Sequence, residues 1–349
     1  MLTDRIAAEI ADRGPMYFDR FMEIALYDPD EGFFGSGRLR SHRTGDFLTS
    51  PEVSPLFGET LARFVVGEAG RVGGLDAVID CGAGSGSLLA AALPHLGDVA
   101  TVAVEVSPAA RHALASTLNG TRVVASLDEV GAQTRGVIIA NELLDNLPAA
   151  VALRSADGWL EEAVTVEDGR LRAAPVPARS DVAAWAARHA ADVPSGSRVE
   201  VQLAAGEWLR AALGMLGAGA VVVIDYGDTG AGLADRRAEG TMRTYRAHHL
   251  GPDPLLEPGA TDITMDVDFS ALLAVAESSR ATTEYTTQAE FLTRWRLRDR
   301  LSVLRHQELE AARGEATMER LQLRSRVTEA ETLLHPRGLG DFRVLVARK

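Results

Sequence analysis

Ala77-Val78-Ile79-Asp80-Cys81-Gly82-Ala83-Gly84-Ser85-Gly86 decides how the chain is read. A short apolar run ends in an acid and three alternating glycines, and an apolar stretch over 88–93 follows at helical spacing. Glycine lets the backbone turn tightly and approach a ligand without a Cβ clash, and the helix start behind it offers unpaired N–H groups. The rhythm recurs along the chain. Thr101-Val102-Ala103-Val104 precedes a helical pattern over 109–118, Val137-Ile138-Ile139-Ala140 is a third run, and 220–224 is a fourth. Short β-branched runs alternating with helices predict an α/β fold with a parallel sheet covered on both faces.

Outward from this centre the pattern changes. Leu2, Ile6 and Ile10 mark an opening helix that ends near Gly14-Pro15, and a second apolar segment over 18–26 stops at Asp28-Pro29. A glycine-rich loop over 32–46 carries Arg38, Arg40 and Arg43, and helical spacing resumes over 51–66. Between the third and fourth runs, Asp157-Gly158 and Asp168-Gly169 separate alternating segments, which predicts an antiparallel hairpin insertion near 151–176. After Asp225 a Gly/Pro-rich stretch reaches Thr261; helical patterns return at 269–276 and 289–334, and 342–346 reads as a strand.

Composition bounds the rest. The 349 residues, 46% hydrophobic, suit one large α/β domain with insertions or two ordinary domains, and exclude a disordered chain. A single Cys excludes a disulfide framework and a cysteine-built zinc site, and the eight His make no ligand spacing, so no metal is expected. Charge stands at 36 Lys+Arg against 49 Asp+Glu, a net -13, which weighs against nucleic acid as the partner. No apolar run is long enough to span a membrane. Asp4, Glu9 and Asp12 near the start fit neither a signal nor a transit peptide, so a soluble, cytoplasmic protein is expected.

Two nucleoside chemistries use such a glycine turn. Dinucleotide binding wants a G-x-G-x-x-G/A pattern, whose third position here is Ser87. Spacing Gly82-x-Gly84-x-Gly86 with Asp80 two residues before suits S-adenosylmethionine (SAM) better, because its ammonium group favours a nearby carboxylate. Glu105 ends the next run, where a carboxylate accepts both ribose hydroxyls, and Ser107-Pro108 then opens a helix. That device serves NAD enzymes too, so it supports adenosyl binding without choosing the cofactor. Ser126 to Glu129 has the form of a capping box, with reach of Asp128 to the adenine amino group the lesser alternative. Asn141-Glu142-Leu143-Leu144-Asp145 follows the third run, where polar side chains face the ligand crevice of a parallel sheet. The plainer alternative is that Asn141 and Glu142 cap a helix.

Together these residues resemble the MidA family of SAM-dependent methyltransferases, whose mitochondrial members are complex I assembly factors that methylate arginine. Gly45-Asp46-Phe47-Leu48-Thr49-Ser50-Pro51-Glu52 is similar to its N-terminal signature, and Asn141-Glu142 through Asp145-x-Leu147-Pro148 to its asparagine-glutamate block. Asp225-Tyr226-Gly227, Gly240-Thr241-Met242-Arg243-x-Tyr245, Pro258-Gly259, Asp262-Ile263-Thr264 and Gly338-Leu339-Gly340-Asp341-Phe342 follow in order. Residues 151–199 and 295–332 match poorly. The sequence also departs at Ala83 and Ser85, at Leu143-Leu144, and at Met265-Asp266, where the family carries a histidine.

The resemblance implies a class I SAM-dependent methyltransferase: a Rossmann-like, seven-stranded sheet with a terminal antiparallel strand, plus N-terminal and inserted substrate-lobe elements. It divides the chain into a helical cap (1–70), a SAM-binding core (71–227), a substrate lobe with a late strand (228–335) and a closing strand (336–349). Carried over residue by residue, Gly82, Gly84, Gly86 and Glu105 contact the cofactor. Gly45, Asp46, Thr49, Ser50 and Pro51 close over it, and Asn141, Glu142 and Asp145 form the catalytic edge. The implied substrate is a protein presenting an arginine, of the respiratory complex I subunit type. Glu142, assisted by Asp145 or Asp46, would pair with the guanidinium; over 225–268 nine acids face four Arg. The rivals are a small-molecule methyltransferase and a SAM-binding assembly chaperone without turnover.

Overall fold

A computed structural model of the chain describes residues 1–36, 49–132, 134–246, 249–313 and 317–349. Seven strands form the central sheet, numbered along the chain: β1 Ala77–Cys81, β2 Ala100–Val104, β3 Arg122–Val124, β4 Thr134–Asn141, β5 Leu216–Asp225, β6 Thr282–Thr287 and β7 Arg343–Arg348. Their order is β3-β2-β1-β4-β5-β7-β6. The first five run parallel, and β7 pairs antiparallel with both neighbours, from Asp225↔Arg343 to Ala220↔Arg348 on one side.

Alternation along each strand feeds two apolar layers. Val78, Val137, Ile139, Val222, Ile224, Val344 and Val346 face one core, filled by Leu56, Phe57, Leu61 and Phe64 of helix Pro55–Val72 and by the helices over 288–333. Ile79, Ile138, Val221, Val223 and Leu345 face the other, under helices Leu203–Met215 and Phe269–Ser278. A sheet buried on both faces needs near-continuous apolar runs, which is why the strands read as they do. Strand order reverses between β1 and β4, and the crevice beyond the carboxyl ends of such strands is where open α/β sheets bind ligands.

A second, antiparallel sheet stands beside this frame. Gly158–Glu167 pairs with Ala150–Ser155, Arg170–Pro177 and Met16–Tyr17, and Ala150–Ser155 also pairs with Arg198–Val201. Asp168 and Gly169 both have positive φ (50° and 73°), as a two-residue hairpin turn of matching twist requires. Helices Leu2–Arg13 and Phe18–Tyr27 cover one face through Ile6, Phe18, Phe21 and Met22.

Some expectations shift. The long pattern over 289–334 divides into helices Gln288–Arg294, Leu297–Ala311 and Thr317–Leu333, the first break coming at Arg296, whose φ is 71°. The stretch after Asp225 is not all loop: Arg243–Arg246 pairs with His249–Leu250 and Asp262–Thr264. No helix among the described residues is long and apolar enough to cross a membrane.

Candidate active site

The glycine turn leaves β1 with three residues in left-handed conformation: Gly82 at φ 70°, Gly84 at 51° and Gly86 at 80°. The turn forms one wall of a cavity, about 930 Å³ including its open mouth, that Asp80, Glu105, Asn141 and Glu142 also line. Glu105 is anchored by backbone N–H donors: Gly84 to Oε2 at 2.9 Å and Ser107 to Oε1 at 2.8 Å. Asp80 is 3% exposed and its Oδ2 has no hydrogen-bond partner. Burial, then the charge of Glu105, pushes its carboxyl up to about 8. A buried acid left without a partner at a cavity wall fits a cationic ligand group.

At the end of β4 the chain makes a costly turn. Glu142 has φ 51°, a region that disfavours residues with a Cβ. The turn is held by Asp225, whose Oδ2 accepts from the N–H groups of Leu144 (3.0 Å) and Asp145 (3.3 Å). Glu142 Oε1 accepts from the Ser50 N–H and from Asn141 Nδ2, each at 3.2 Å. Burial raises the Glu142 carboxyl to about 8, with Asp145 and Glu52 adding to the rise and the Ser50 bond opposing it. Asn141 Oδ1 is buried and unpartnered.

Glu142 and Asn146 also border a second, larger cavity of about 2160 Å³ including its open mouth. Asp145, Tyr226, Arg236, Arg243, Asp262 and Asp266 line one side, and residues between Thr328 and Phe342 line the other. Arg236 and Arg243 are tied to Asp266, the latter at 3.1 Å. Thus Asp266 serves an ion-pair cluster and Met265 is fully buried in the N-terminal core, where the family's histidine would stand.

Thr49 and Pro51 line the first cavity, and Ser50 reaches Glu142 through its backbone. Gly45 and Asp46 lie outside the described residues. Two of the expected cofactor contacts have structural roles of their own. Gly86 is not among the residues lining the cavity; a Cβ there would stand 2.6 Å from Leu114 Cδ2, so this glycine lets two helices pack. Asp128 is exposed in the turn Leu127–Glu129, absent from the cavity lining, and Glu129 completes the capping box by accepting from the Ser126 N–H at 3.1 Å. Sequence reasoning missed Tyr27, Phe34 and Asn146 in the first cavity and the Thr328–Phe342 wall of the second. Asn146 carried a signal, as one of only three Asn in the chain.

Sheet order, glycine turn, anchored Glu105 and orphaned Asp80 together fit a class I SAM-dependent methyltransferase. A family model of S-adenosyl-L-methionine-dependent methyltransferases matches residues 60–287, and the chain belongs to this family, the MidA family its motifs resemble. The mitochondrial protein arginine methyltransferase NDUFAF7 of Xenopus tropicalis is 28% identical over 343 residues, covering 87% of this chain and 77% of that one. The human protein of the same name is 28% identical over 336 residues, covering 85% and 73%. A COG1565 superfamily member from Burkholderia thailandensis, bound to S-adenosyl-homocysteine, superposes with a TM-score of 0.88 at 31% identity, covering 100% of this chain and 92% of that one. The cofactor is S-adenosyl-L-methionine, and the orphaned Asp80 Oδ2 and the glycine turn fit it.

Proposed function

We propose that the protein methylates an arginine of a protein partner, with residues 1–70 and 228–335 forming the substrate-recognising part around the cofactor-binding core of 71–227 and 336–349 closing the sheet. The observation that carries this reading is Glu142, a half-buried carboxylate on the wall common to both cavities. When bound, the cofactor supplies an electrophilic methyl group on a sulfonium centre. Asp80 and Glu105 hold its polar ends, and Asn141 and Ser50 orient Glu142. A protonated guanidinium is a poor nucleophile, and a carboxylate paired to its other nitrogens fixes its plane and draws charge from the reacting one. Such pairing also returns Glu142 to its ionised form.

The relatives named as protein arginine methyltransferases support an arginine acceptor. The test is tritium transfer from labelled SAM into cell-lysate proteins, with the labelled residue mapped. Label on arginine that disappears in Glu142→Gln, with cofactor affinity by calorimetry retained, supports the reading. Label on a small metabolite or another side chain sinks it, and no label in the wild type leaves the assembly-chaperone role. Complex I subunits are the first acceptors to try, given the family resemblance.

A further inference from the structure

Asp145 is held in a way that its neighbours Glu142 and Asp225 are not. Two hydroxyls, Tyr226 Oη and Thr264 Oγ1 (2.6 Å), donate to the same oxygen, Oδ2, while Oδ1 is buried without any partner. The residue is 3% exposed and stands at the wall of the larger cavity. Its main chain is pinned too, the N–H donating to Asp225 and the carbonyl accepting from Met265 N–H at 3.2 Å. The Tyr226 ring packs edge-on against Phe342, 5.6 Å between centroids, so the donating hydroxyl cannot swing away freely. Of the arginines that line this cavity, Arg236 and Arg243 are engaged by Asp266, and Arg337 belongs to the segment between Thr328 and Phe342.

From this arrangement we propose that Tyr226 and Thr264 are positioning residues: they saturate one oxygen of Asp145 so that the other becomes a second fixed acceptor beside Glu142. The site then selects a planar cation with N–H donors on several nitrogens over a single ammonium. The inference rests on the arginine reading and deepens it. A guanidinium spreads five N–H donors over a rigid plane and meets two fixed acceptors at once; a lysine ammonium meets them from one nitrogen. An acid buried with an empty oxygen costs stability unless a ligand supplies the missing donor, which is the sign of a site shaped for its occupant.

The test compares wild type, Tyr226→Phe, Thr264→Val, Asp145→Asn and the Tyr226→Phe/Asp145→Asn double variant. Calorimetry reads their affinity for blocked arginine, lysine and citrulline amides, and a separate titration reads SAM. Tyr226→Phe and Thr264→Val are expected to weaken the arginine amide about tenfold, narrow the arginine-over-lysine preference, and leave SAM affinity unchanged. If Tyr226 acts through Asp145, the double variant binds no worse than Asp145→Asn alone. The arginine affinity of Tyr226→Phe should also rise at higher pH than in wild type, because the lost hydrogen bond was lowering the Asp145 carboxyl. Glu142, Asp225, Asp262 and Tyr27 face the same group and are unchanged in that variant. Full additivity in the double variant, or an unchanged arginine-over-lysine preference, overturns the inference while leaving the arginine reading intact. A wild type that binds and methylates no arginine overturns both.

Discussion

Replacing Glu142 by Gln should stabilise the free protein, and increasingly so at alkaline pH. Its carboxyl titrates at 4.5 in an open chain and is raised to about 8 in the fold. Between those values the folded state holds a proton that the unfolded state has released, so stability is complete below about pH 4.5 and is lost as pH rises to about 8. Each pH unit in that window costs about 1.4 kcal/mol, and the whole window about 5 kcal/mol. Gln keeps the shape and the acceptor for Ser50 but has no proton to lose. The variant should therefore match the wild type near pH 4.5 and exceed it by about 5 kcal/mol at pH 8.5. For a chain of this length that is roughly 7 °C in melting temperature. Urea unfolding of cofactor-free protein at half-unit steps from pH 5 to 8.5 reads the difference directly. The variant keeps some slope because Asp80, raised to about 8 for the same reason, still titrates. Stability curves that run parallel for the two proteins would refute the reasoning: Glu142 would then titrate alike in both states, and its burial would carry no electrostatic cost. The gain should come with lost methyl transfer, an exchange common where an active site stores unfavourable charge.

Asp80→Asn should weaken SAM binding about tenfold by calorimetry while raising thermal stability at pH 8, since it removes an acid that burial disfavours. Gly84→Val forces a Cβ onto a backbone at φ 51° at the cavity wall and should cut SAM affinity at least tenfold. Gly86→Ala should lower stability by about 1–3 kcal/mol, as its Cβ meets Leu114, and a compensating Leu114→Val should recover part of the loss in chemical denaturation. Asp268→Ala should cost about 3–5 kcal/mol in the same assay. It strands the buried Arg237, 2.6 Å from Asp268, and removes the cap that accepts from Ala271 N–H.

What could be read from the chain follows from where its physics is local. β1, β2, β4 and β5 lie buried on both faces, so their apolar runs stand out, and the turns after them advertise themselves through Gly82, Gly84 and Asn141. β6 hid because Thr282–Thr287 is an edge strand, part exposed and threonine-rich, with a register dictated by a partner some sixty residues later, from Thr282↔Arg348 onward. β3 has only three residues. The cofactor side of the site was legible for the same reason, its acids sitting within a few residues of strand ends. The other side was not. Tyr226 reaches Asp145, Asn146 reaches Asp262 and Ile263, and Ser50 reaches Gln288 across separations of 81 to 238 residues, and no periodicity encodes such meetings. Gly86 shows the ambiguity of a glycine signal, because one demanded by helix packing looks identical to one demanded by a ligand.

The place of β7 has a consequence for how the molecule comes into being. Arg343–Arg348 is made after every other strand of the central sheet, yet it sits between β5 and β6, and the segment leading into it supplies Leu339 and Phe342 to the large cavity. A nascent chain stopped before that point has its glycine turn and its acids but an open seam where β5 and β6 should be joined. Because Val344 and Val346 fill one core while Leu345 and Ala347 fill the other, such a product also lacks the strand that both apolar layers pack against.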